Sequence, residues 1–416
     1  MGTFLSSPDG DIFKESRPGQ NRSVQGIDDC ASLPPLPVQL VQIRMNPASK
    51  GDGVKGVSLI TGAAGFIGMH LATELLDRGH RVIAIDNFSS GFRENLPLDV
   101  ELIEGSIADP RLVAGVFEQH PIRYVFHLAA YAAEGLSHFV RTLTYRTNVL
   151  GSANLINAAV NAGTVQCFVF TSSVAVYGRA TGVMREDDVP RPIDPYGISK
   201  HAIELDLRAA DELFGLPSII FRPHNVYGEG QNLWDPYRNV IGIFMQQIRQ
   251  GRPLTLFGDG SQTRAFTHIS DVAPILAEAV EHPSAYHQVF NIGSDRAHTV
   301  LEVADRVSQA MGVPPRLEFL PARLEAHDAS CSHERLRAFF GDRSPGVELD
   351  DGLKRMAAWA QRVLPRPRVT AGPIEIHQQL PEVWRDLERP RPRVRPRPAA
   401  VPARALMQGT SPTRPS

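Results

Sequence analysis

Apolar runs alternate with amphipathic stretches along residues 55–180 of the chain. Short apolar runs bounded by polar or glycine residues predict buried strands, and apolar residues spaced three or four apart predict helices. On these grounds we predict strands at residues 57–60, 81–85, 100–107, 124–130, 166–173 and 216–223. Helices are predicted after the first strand as far as Gly79, at 148–162 and at 195–214. This alternation predicts an α/β protein with a doubly wound parallel sheet, whose ligand lies at the carboxyl ends of the strands.

The turn after the first strand carries Gly62, Gly65 and Gly68 directly before a predicted helix. Such glycines permit a tight turn, let a pyrophosphate approach the backbone and let helix and strand pack closely. Free amides at the helix N-terminus then bind the phosphates. Asp86 ends the second strand 24 residues after Gly62, where an acid hydrogen-bonds the adenine ribose and repels a 2′-phosphate. The pattern therefore predicts a Rossmann-type domain that binds NAD rather than NADP.

Tyr196 and Lys200 lie four residues apart in a helix that Asp194 caps, so their side chains share one face. A free phenol has a pKa near 10, but a nearby ammonium and a cationic nicotinamide ring both favour the phenolate. Ser172 or Ser173, at the end of the strand 166–173, would stand beside the phenol and polarise a substrate hydroxyl. The pair could instead be ordinary helix surface. Its position downstream of a complete nucleotide fold favours catalysis.

Composition narrows the class of protein. The 416 residues carry a net charge of −2, which gives no electrostatic case for binding nucleic acid. The three cysteines lie far apart, and the histidines form no HxxxH or HExxH pair, so neither a disulfide framework nor a metal site is expected. No apolar run is long enough to span a membrane, and no secretory signal is evident. We expect a cytoplasmic protein without a membrane partner.

Four segments are predicted from these patterns. Residues 1–54 are rich in Gly, Pro, Ser and Asp and predict a disordered extension. Residues 55–225 form the NAD-binding Rossmann domain, and residues 226–388 a smaller mixed α/β substrate-binding part that exchanges strands or helices with it. Trp384 gives the end of that part something to bury. Residues 389–416 alternate Arg and Pro and predict a disordered tail, or a segment that docks weakly on an acidic surface.

Three motifs are characteristic of one protein family. They lie at residues 171–178, 196–200 and 222–228. Together they resemble the NAD-dependent nucleotide-sugar epimerase/dehydratase family, an extended branch of the short-chain dehydrogenases/reductases, and are nearest to UDP-glucose 4-epimerases. The resemblance covers about residues 55–341. It implies that Ser173 is the catalytic serine, Tyr196 the base and Lys200 its activator.

The resemblance also implies binding roles. The residues implied for NAD are Gly62, Gly65, Phe66, Ile67, Gly68, Asp86, Asn87, Ser106, Ile107, Leu128, Ala129, Ala130, Asn148, Tyr196 and Lys200. Those implied for the substrate are Ser173, Tyr196, Asn225, Arg264 and Arg323, with Asn225 and Arg264 at the diphosphate. Two features depart from the family. Ser106 replaces an aspartate that contacts adenine, and the phosphate element around Arg323 is imperfect. Glu134 and His138 either contact an atypical sugar or cap a helix, and we favour the second.

The residues after Ser173 bear on the reaction. The family's 4,6-dehydratases and decarboxylases place an acid after the hydroxyl-ended strand, whereas this chain has Val174, Ala175 and Val176. We therefore expect inversion at C4 of a UDP-hexose through a 4-keto intermediate, by a homodimer. The alternatives are a nucleotide-sugar reductase or dehydrogenase, a 4,6-dehydratase, and a non-catalytic NAD-binding protein.

Overall fold

The structure is a computed structural model that describes residues 55–179, 182–322, 328–343, 346–366 and 372–388. The predicted extension 1–54, the predicted tail 389–416 and Arg323 lie outside these ranges. In chain order the strands are β1 Val57–Thr61, β2 Arg81–Asp86, β3 Glu101–Glu104, β4 Ile122–His127, β5 Cys167–Thr171, β6 Val183–Met184, β7 Ser218–Pro223, β8 Val226–Tyr227, β9 Leu254–Phe257, β10 Thr263–Ala265, β11 Thr267–His268, β12 Val289–Ile292, β13 Ala297–Thr299, β14 Leu317–Leu320 and β15 Asp328–Cys331. The helices are α1 Phe66–Asp77, α2 Pro110–Gln119, α3 Glu134–Ser137, α4 Arg141–Tyr145, α5 Gly151–Ala162, α6 Pro195–Phe214, α7 Val240–Arg249, α8 Ala273–Glu278, α9 Val300–Ala310, α10 Glu334–Phe340, α11 Leu349–Arg362 and α12 Glu382–Glu388.

A parallel sheet of seven strands, in the order β12–β7–β5–β4–β1–β2–β3, forms the centre of the described chain. Neighbouring residues of one strand enter different cores. Leu59 packs into a core on one face, and Ile60 packs into a core on the other. Burial on both faces explains why these strands are continuous apolar runs in the sequence. The predicted doubly wound α/β sheet is confirmed, and its strand order reverses between β1 and β4, where such sheets bind ligands.

Two elements differ from the sequence-based expectation. The seventh strand, β12 at Val289–Ile292, comes from the later part of the chain and pairs with β7. Its pairing partner is distant in sequence, so no local pattern indicated it. The helix expected at 148–162 is the end of a longer helical run. It starts with α4 at Arg141 and passes through a π-helical turn, Arg146–Leu150, into α5. The small and polar residues of that turn interrupt the apolar period that sequence analysis relies on.

Smaller sheets and three helices lie beyond the central sheet. The sheets pair β13–β10–β15–β6, β11–β8 and β14–β9. Helices α7, α9 and α11 meet in a third core that includes Phe244, Val303 and Met356. Helix α6 spans 20 residues and follows the expected signals. Asp194 accepts a hydrogen bond from the Gly197 N–H, Pro195 is the first helical residue, and Gly215 ends the helix in a left-handed conformation. None of the helices in the described ranges is both long and apolar enough to cross a membrane.

Candidate active site

The glycine turn between β1 and α1 forms a cradle that has no room for side chains. Gly62 has φ +73°, and a Cβ there would lie 2.8 Å from the main chain of Ala129. A Cβ on Gly68 would lie 2.3 Å from the Gly62 carbonyl oxygen. Gly65 is the N-cap of α1 and offers no side chain, so the first amides of that helix have no side-chain cap. This bare, amide-rich turn fits the pyrophosphate of a dinucleotide.

Asp86 lies at the end of β2, beside that cradle. Its two carboxylate oxygens accept hydrogen bonds from the backbone N–H groups of Ala64, at 2.9 Å, and of Phe88, at 2.7 Å. Burial raises the pKa of this carboxyl group, and the two backbone donors act in the opposite direction. Asp86 therefore braces the glycine turn and also gives the cavity a carboxylate where an adenine ribose would lie.

The predicted catalytic residues lie on two adjacent parts of the chain, the residues just after β5 and the first two turns of α6. The Lys200 ammonium donates a hydrogen bond of 2.6 Å to the Thr171 carbonyl and lies 5.9 Å from the centre of the Tyr196 ring. Ser173 lies close enough to the Tyr196 phenol for its hydroxyl to lower the pKa of Tyr196. On the other side, the Asp194 cap fixes the first turn of α6. The structure thus brings a hydroxyl, a phenol and an ammonium together at one place.

The electrostatics of this group differ from the sequence-based expectation. Burial raises the pKa of the Tyr196 phenol, and the nearby Ser173 hydroxyl offsets only part of that effect. Burial also lowers the pKa of Lys200 to about 7, against the opposing charge of Glu204. Both directions work against a phenolate–ammonium pair in the protein without its cofactor. A cationic ring bound beside Tyr196 would favour the phenolate.

One cavity of about 470 Å³ contains nearly all of the predicted residues. Its lining includes Gly62, Gly65, Phe66, Ile67, Gly68, Asp86, Asn87, Ser106, Ile107, Leu128, Ala129, Ala130, Ser173, Tyr196, Lys200, Asn225 and Arg264. Glu134 and His138 also line it, although we favoured a capping role for them. The cavity therefore runs from the glycine cradle to the phenol and on to the loops of the smaller part. We call it the main cavity.

Asn148 is the one described residue of the prediction that is not among the lining residues of the main cavity. Its amide oxygen accepts a hydrogen bond of 2.7 Å from the Tyr131 N–H, and its nitrogen donates to Ser199 Oγ at 3.0 Å. Thr147, its neighbour in the π-helical turn, does line the cavity. Asn148 thus holds the main chain that follows β4 against α6, next to the lining residues.

The loop between β8 and α7 was missed by sequence analysis, although six of its residues line the main cavity: Gln231, Asn232, Asp235, Tyr237, Arg238 and Asn239. Arg238 donates to the Asp235 carboxylate at 2.6 Å, and its charge lowers the pKa of Tyr196. In the sequence, the signal for this loop was Asp235 three residues before Arg238, in the stretch that follows the motif at 222–228. Asn225 itself has φ +37° and donates a hydrogen bond of 3.1 Å to the Ala265 carbonyl.

Comparison with known proteins agrees with this geometry. The chain matches the model of the NAD dependent epimerase/dehydratase family over residues 58–293. It is 33% identical to a UDP-glucose 4-epimerase of Mycolicibacterium smegmatis over 307 residues, which cover 72% of this chain and 96% of that protein. It is 34% identical to a UDP-N-acetyl-alpha-D-glucosaminuronate decarboxylase of Bacillus cytotoxicus over 272 residues, 63% of this chain and 83% of that one. A crystal structure of UDP-glucose 4-epimerase with UDP-glucose, from Thermotoga maritima, superposes with a TM-score of 0.70 at 32% identity. That match covers 73% of this chain and 98% of the other.

The fold and the cavity define a dinucleotide-binding α/β protein whose main cavity is also lined by a phenol and an ammonium. The chain belongs to the NAD-dependent epimerase/dehydratase family. The resemblance stated from the motifs is therefore confirmed, as are the Rossmann-type fold and NAD as the cofactor. The individual residue roles remain predictions that the geometry supports.

Asp86 provides a test of the ribose contact. We expect Asp86→Ser to raise the ratio of NADP affinity to NAD affinity by about tenfold or more, because the carboxylate no longer repels a 2′-phosphate. Calorimetry on protein stripped of nucleotide measures both affinities. Asp99→Ser removes the same charge from an exposed position outside the main cavity and is the matched control. An unchanged ratio in Asp86→Ser would assign the carboxylate to bracing the turn alone.

Proposed function

We propose that this protein is an NAD-dependent nucleotide-sugar 4-epimerase that inverts C4 of a UDP-hexose through a transient 4-keto sugar. The observation that carries the proposal is the placement of Ser173, Tyr196 and Lys200 in one cavity that also reaches the glycine cradle. The similarity to two UDP-glucose 4-epimerases supports the choice of UDP-hexose. The NAD cofactor supplies the acceptor and donor of the C4 hydride.

Each residue then has a chemical task. Ser173 orients the C4 hydroxyl towards Tyr196, and the phenolate accepts its proton. Lys200, held by the Thr171 carbonyl, lies close enough to stabilise the phenolate charge. Arg264 and Asn225 are the candidates for holding the diphosphate while the keto sugar turns over, because a guanidinium suits phosphate oxygens. Return of the proton from Tyr196 completes the cycle without net change in the protein.

A second candidate reaction is supported by Glu134. Glu134 lines the main cavity. Burial is the main reason why the pKa of Tyr196 is raised, and the charge of Glu134 adds to that effect. A carboxylate near the sugar is what proton transfer in dehydration requires, and here it comes from α3 rather than from the segment after β5. The chain is also similar to a decarboxylase, so the test of function has to cover family reactions other than epimerisation. Epimerisation remains our proposal because residues 174–176 carry no acid.

Product analysis separates these reactions. Purified protein is incubated with UDP-, GDP- and dTDP-sugars without added cofactor, and the products are identified by NMR. We expect C4-inverted UDP-hexose, since a cofactor regenerated in each turnover need not be supplied. A 4-keto-6-deoxy sugar would instead indicate a dehydratase, and a stoichiometric change in NADH absorbance would indicate a reductase or dehydrogenase. If no nucleotide sugar reacts, the proposal is wrong and a non-catalytic NAD-binding role takes its place.

Three broader predictions belong with this proposal. Strand β12 belongs in sequence to the predicted substrate-binding part, residues 226–388. In space it completes the central sheet of the predicted NAD-binding part, residues 55–225. A homodimer is expected from the family, and light scattering on the purified protein gives its mass. The cytoplasmic location is likewise a prediction, which a fluorescent fusion in the native cell would test.

A further inference from the structure

Residues 372–388 form a segment beyond the family match, which ends at residue 293. This C-terminal segment is fixed to the chain just after α3. The backbone N–H groups of Glu375 and Ile376 donate to the Phe139 carbonyl at 2.8 and 3.1 Å. The Glu375 carboxylate accepts hydrogen bonds from the N–H groups of Thr142 and Leu143 at 2.7 and 2.9 Å, and so caps the start of α4. The segment is therefore built onto the stretch that carries Glu134 and His138.

Trp384 is the centre of the packing between the C-terminal segment and the main cavity. Its side chain is buried, and it shares a small core with Leu380 and with Leu136 of α3. Its ring centroid lies 6.0 Å from that of Phe139, 5.4 Å from that of Tyr237 and 6.3 Å from that of Phe257. Tyr237 and Phe257 also line the main cavity. One indole thus packs against two walls of the active site.

A second cavity, of about 900 Å³, lies between the C-terminal segment and those walls. It shares four lining residues with the main cavity: Gly135, His138, Thr255 and Phe257. Gly135 follows Glu134, whose charge acts on Tyr196. Trp384, which lines the second cavity, contacts Tyr237, the neighbour of Arg238, and the charge of Arg238 also acts on Tyr196. The second cavity therefore adjoins the main cavity on the side where a sugar would face the phenol.

The walls of the second cavity indicate what it would hold. Phe139, Leu320, Val383 and Trp384 make them largely apolar, and Gln378 and Gln379 add amide groups. The exposed carboxylates of Glu318 and Glu382 also line it and would repel an acidic group. The cavity is much larger than an acetyl group. These walls match a neutral, mainly apolar chain that carries an amide group at its end or along its length.

Gln379 adds an independent observation. Its φ is +59°, a left-handed conformation that is costly for a residue with a side chain. Such strained residues occur preferentially at functional sites, where the surrounding structure holds them in place. Gln379 thus places an amide side chain in the wall of the second cavity at a position that glycine would hold without strain.

We propose that the second cavity is a subsite of the nucleotide-sugar site and receives an acyl chain longer than acetyl that is amide-linked to the hexose. The subsite rests on the proposed function for the identity of the nucleotide sugar. The C-terminal segment contributes Ile376, Pro381, Val383 and Trp384 to its apolar wall. The Trp384 ring also packs against Tyr237 and Phe257, which line the main cavity.

Binding to the NAD-loaded Tyr196→Phe protein tests the subsite without turnover. The probes are UDP-N-acetylglucosamine and two UDP-glucose derivatives that carry a hexanoylamino group at C2 or at C3. We expect one hexanoyl derivative to bind at least about tenfold more tightly than the acetyl compound, since each buried methylene adds several-fold. Calorimetry measures all three. If neither derivative binds more tightly, the subsite is wrong.

Two substitutions in the wall sharpen the test. Ala322 is exposed and lines the second cavity only, so Ala322→Trp should fill the cavity without removing a core contact. We expect it to weaken the hexanoyl derivative about tenfold relative to the acetyl compound. Val313→Trp, at an exposed position outside both cavities, is the matched control. Equal weakening of both ligands by Ala322→Trp would overturn the subsite.

Gln379→Gly provides a second variant that should fold at least as well as the parent, because glycine relieves the left-handed strain. We expect an unchanged or higher Tm together with weaker binding of the hexanoyl derivative. Unchanged selectivity for the long chain would argue against the subsite. Failure of the proposed function has a different signature. If the long-chain derivative binds selectively but the protein with Tyr196 intact produces no C4 inversion, the subsite proposal stands and the epimerase proposal is wrong.

Discussion

Replacement of Tyr196 by Phe should lower kcat by about a thousandfold, within the range that general acid–base groups contribute. The phenol lies near Ser173 and beside Lys200 in the main cavity, so it is the natural acceptor of the C4 proton. Because Phe keeps the ring, the walls of the main cavity stay in place. NAD content, measured by absorbance after the protein is unfolded, should therefore equal that of the unmodified protein.

Tyr124→Phe is the matched control for that experiment. Its hydroxyl donates to Gln166 at 3.3 Å on the exposed side of the fold, and Tyr124 does not line the main cavity. The control should retain full turnover of the nucleotide sugar. If Tyr196→Phe also retained turnover, another group would be the base, and Glu134 would be the first residue to examine.

The parts of the site that could be predicted from the sequence are those encoded by local spacing. Gly62, Gly65 and Gly68 lie within one turn, and Asp86 ends the next strand, so a short stretch contains the whole cradle. Tyr196 and Lys200 are likewise one helical turn apart. In each case the spacing itself brings the groups together, and tertiary packing has only to expose them at the edge of the sheet.

The parts that could not be predicted depend on contacts between distant residues. The protonation of Tyr196 and Lys200 depends on their burial, which is a property of the packed fold rather than of the motif. The loop with Arg238 reaches the phenol only because β8 and α7 place it there. Trp384 was expected to be buried, and it is, but its contact with Tyr237 could not be read from a sequence separation of more than a hundred residues.

A buried ion pair behind the catalytic cluster is another long-range feature, and it leads to a large expected effect on stability. Arg222 of β7 donates to both carboxylate oxygens of Glu204, at 2.9 and 2.6 Å, and both side chains are almost fully buried. Glu204 lies one turn after Lys200 and accepts a hydrogen bond of 2.5 Å from Ser172. Burial acts to raise the pKa of Glu204, but the nearby His201 ring and the hydrogen bonds from Arg222 hold it below its usual value.

Arg222→Met should lower the free energy of unfolding at pH 7 by about 3–5 kcal/mol, because the Glu204 carboxylate is left buried without its cation. Chemical denaturation measures this difference. The pair of half-buried Arg335 with exposed Asp187 is far more accessible to solvent and offers a control, since Arg335→Ala should cost less than about 1 kcal/mol. A value for Arg222→Met as small as that of the control would mean that the pair contributes little to folding.

The pH dependence of the Arg222→Met effect identifies its cause. In the unmodified protein the pKa of Glu204 is lowered, so its stabilising contribution is present above the pKa of the unfolded chain and is lost as the pH falls. Without Arg222 the carboxyl group is buried and unpaired, so its pKa rises and it becomes protonated at a higher pH. The difference between the two proteins should therefore be largest at neutral pH and shrink towards pH 4. Adding Glu204→Gln to Arg222→Met should recover part of the loss at pH 7, because no unpaired buried carboxylate then remains. A loss that is independent of pH and is not recovered by the second substitution would point to the packing of the arginine side chain instead.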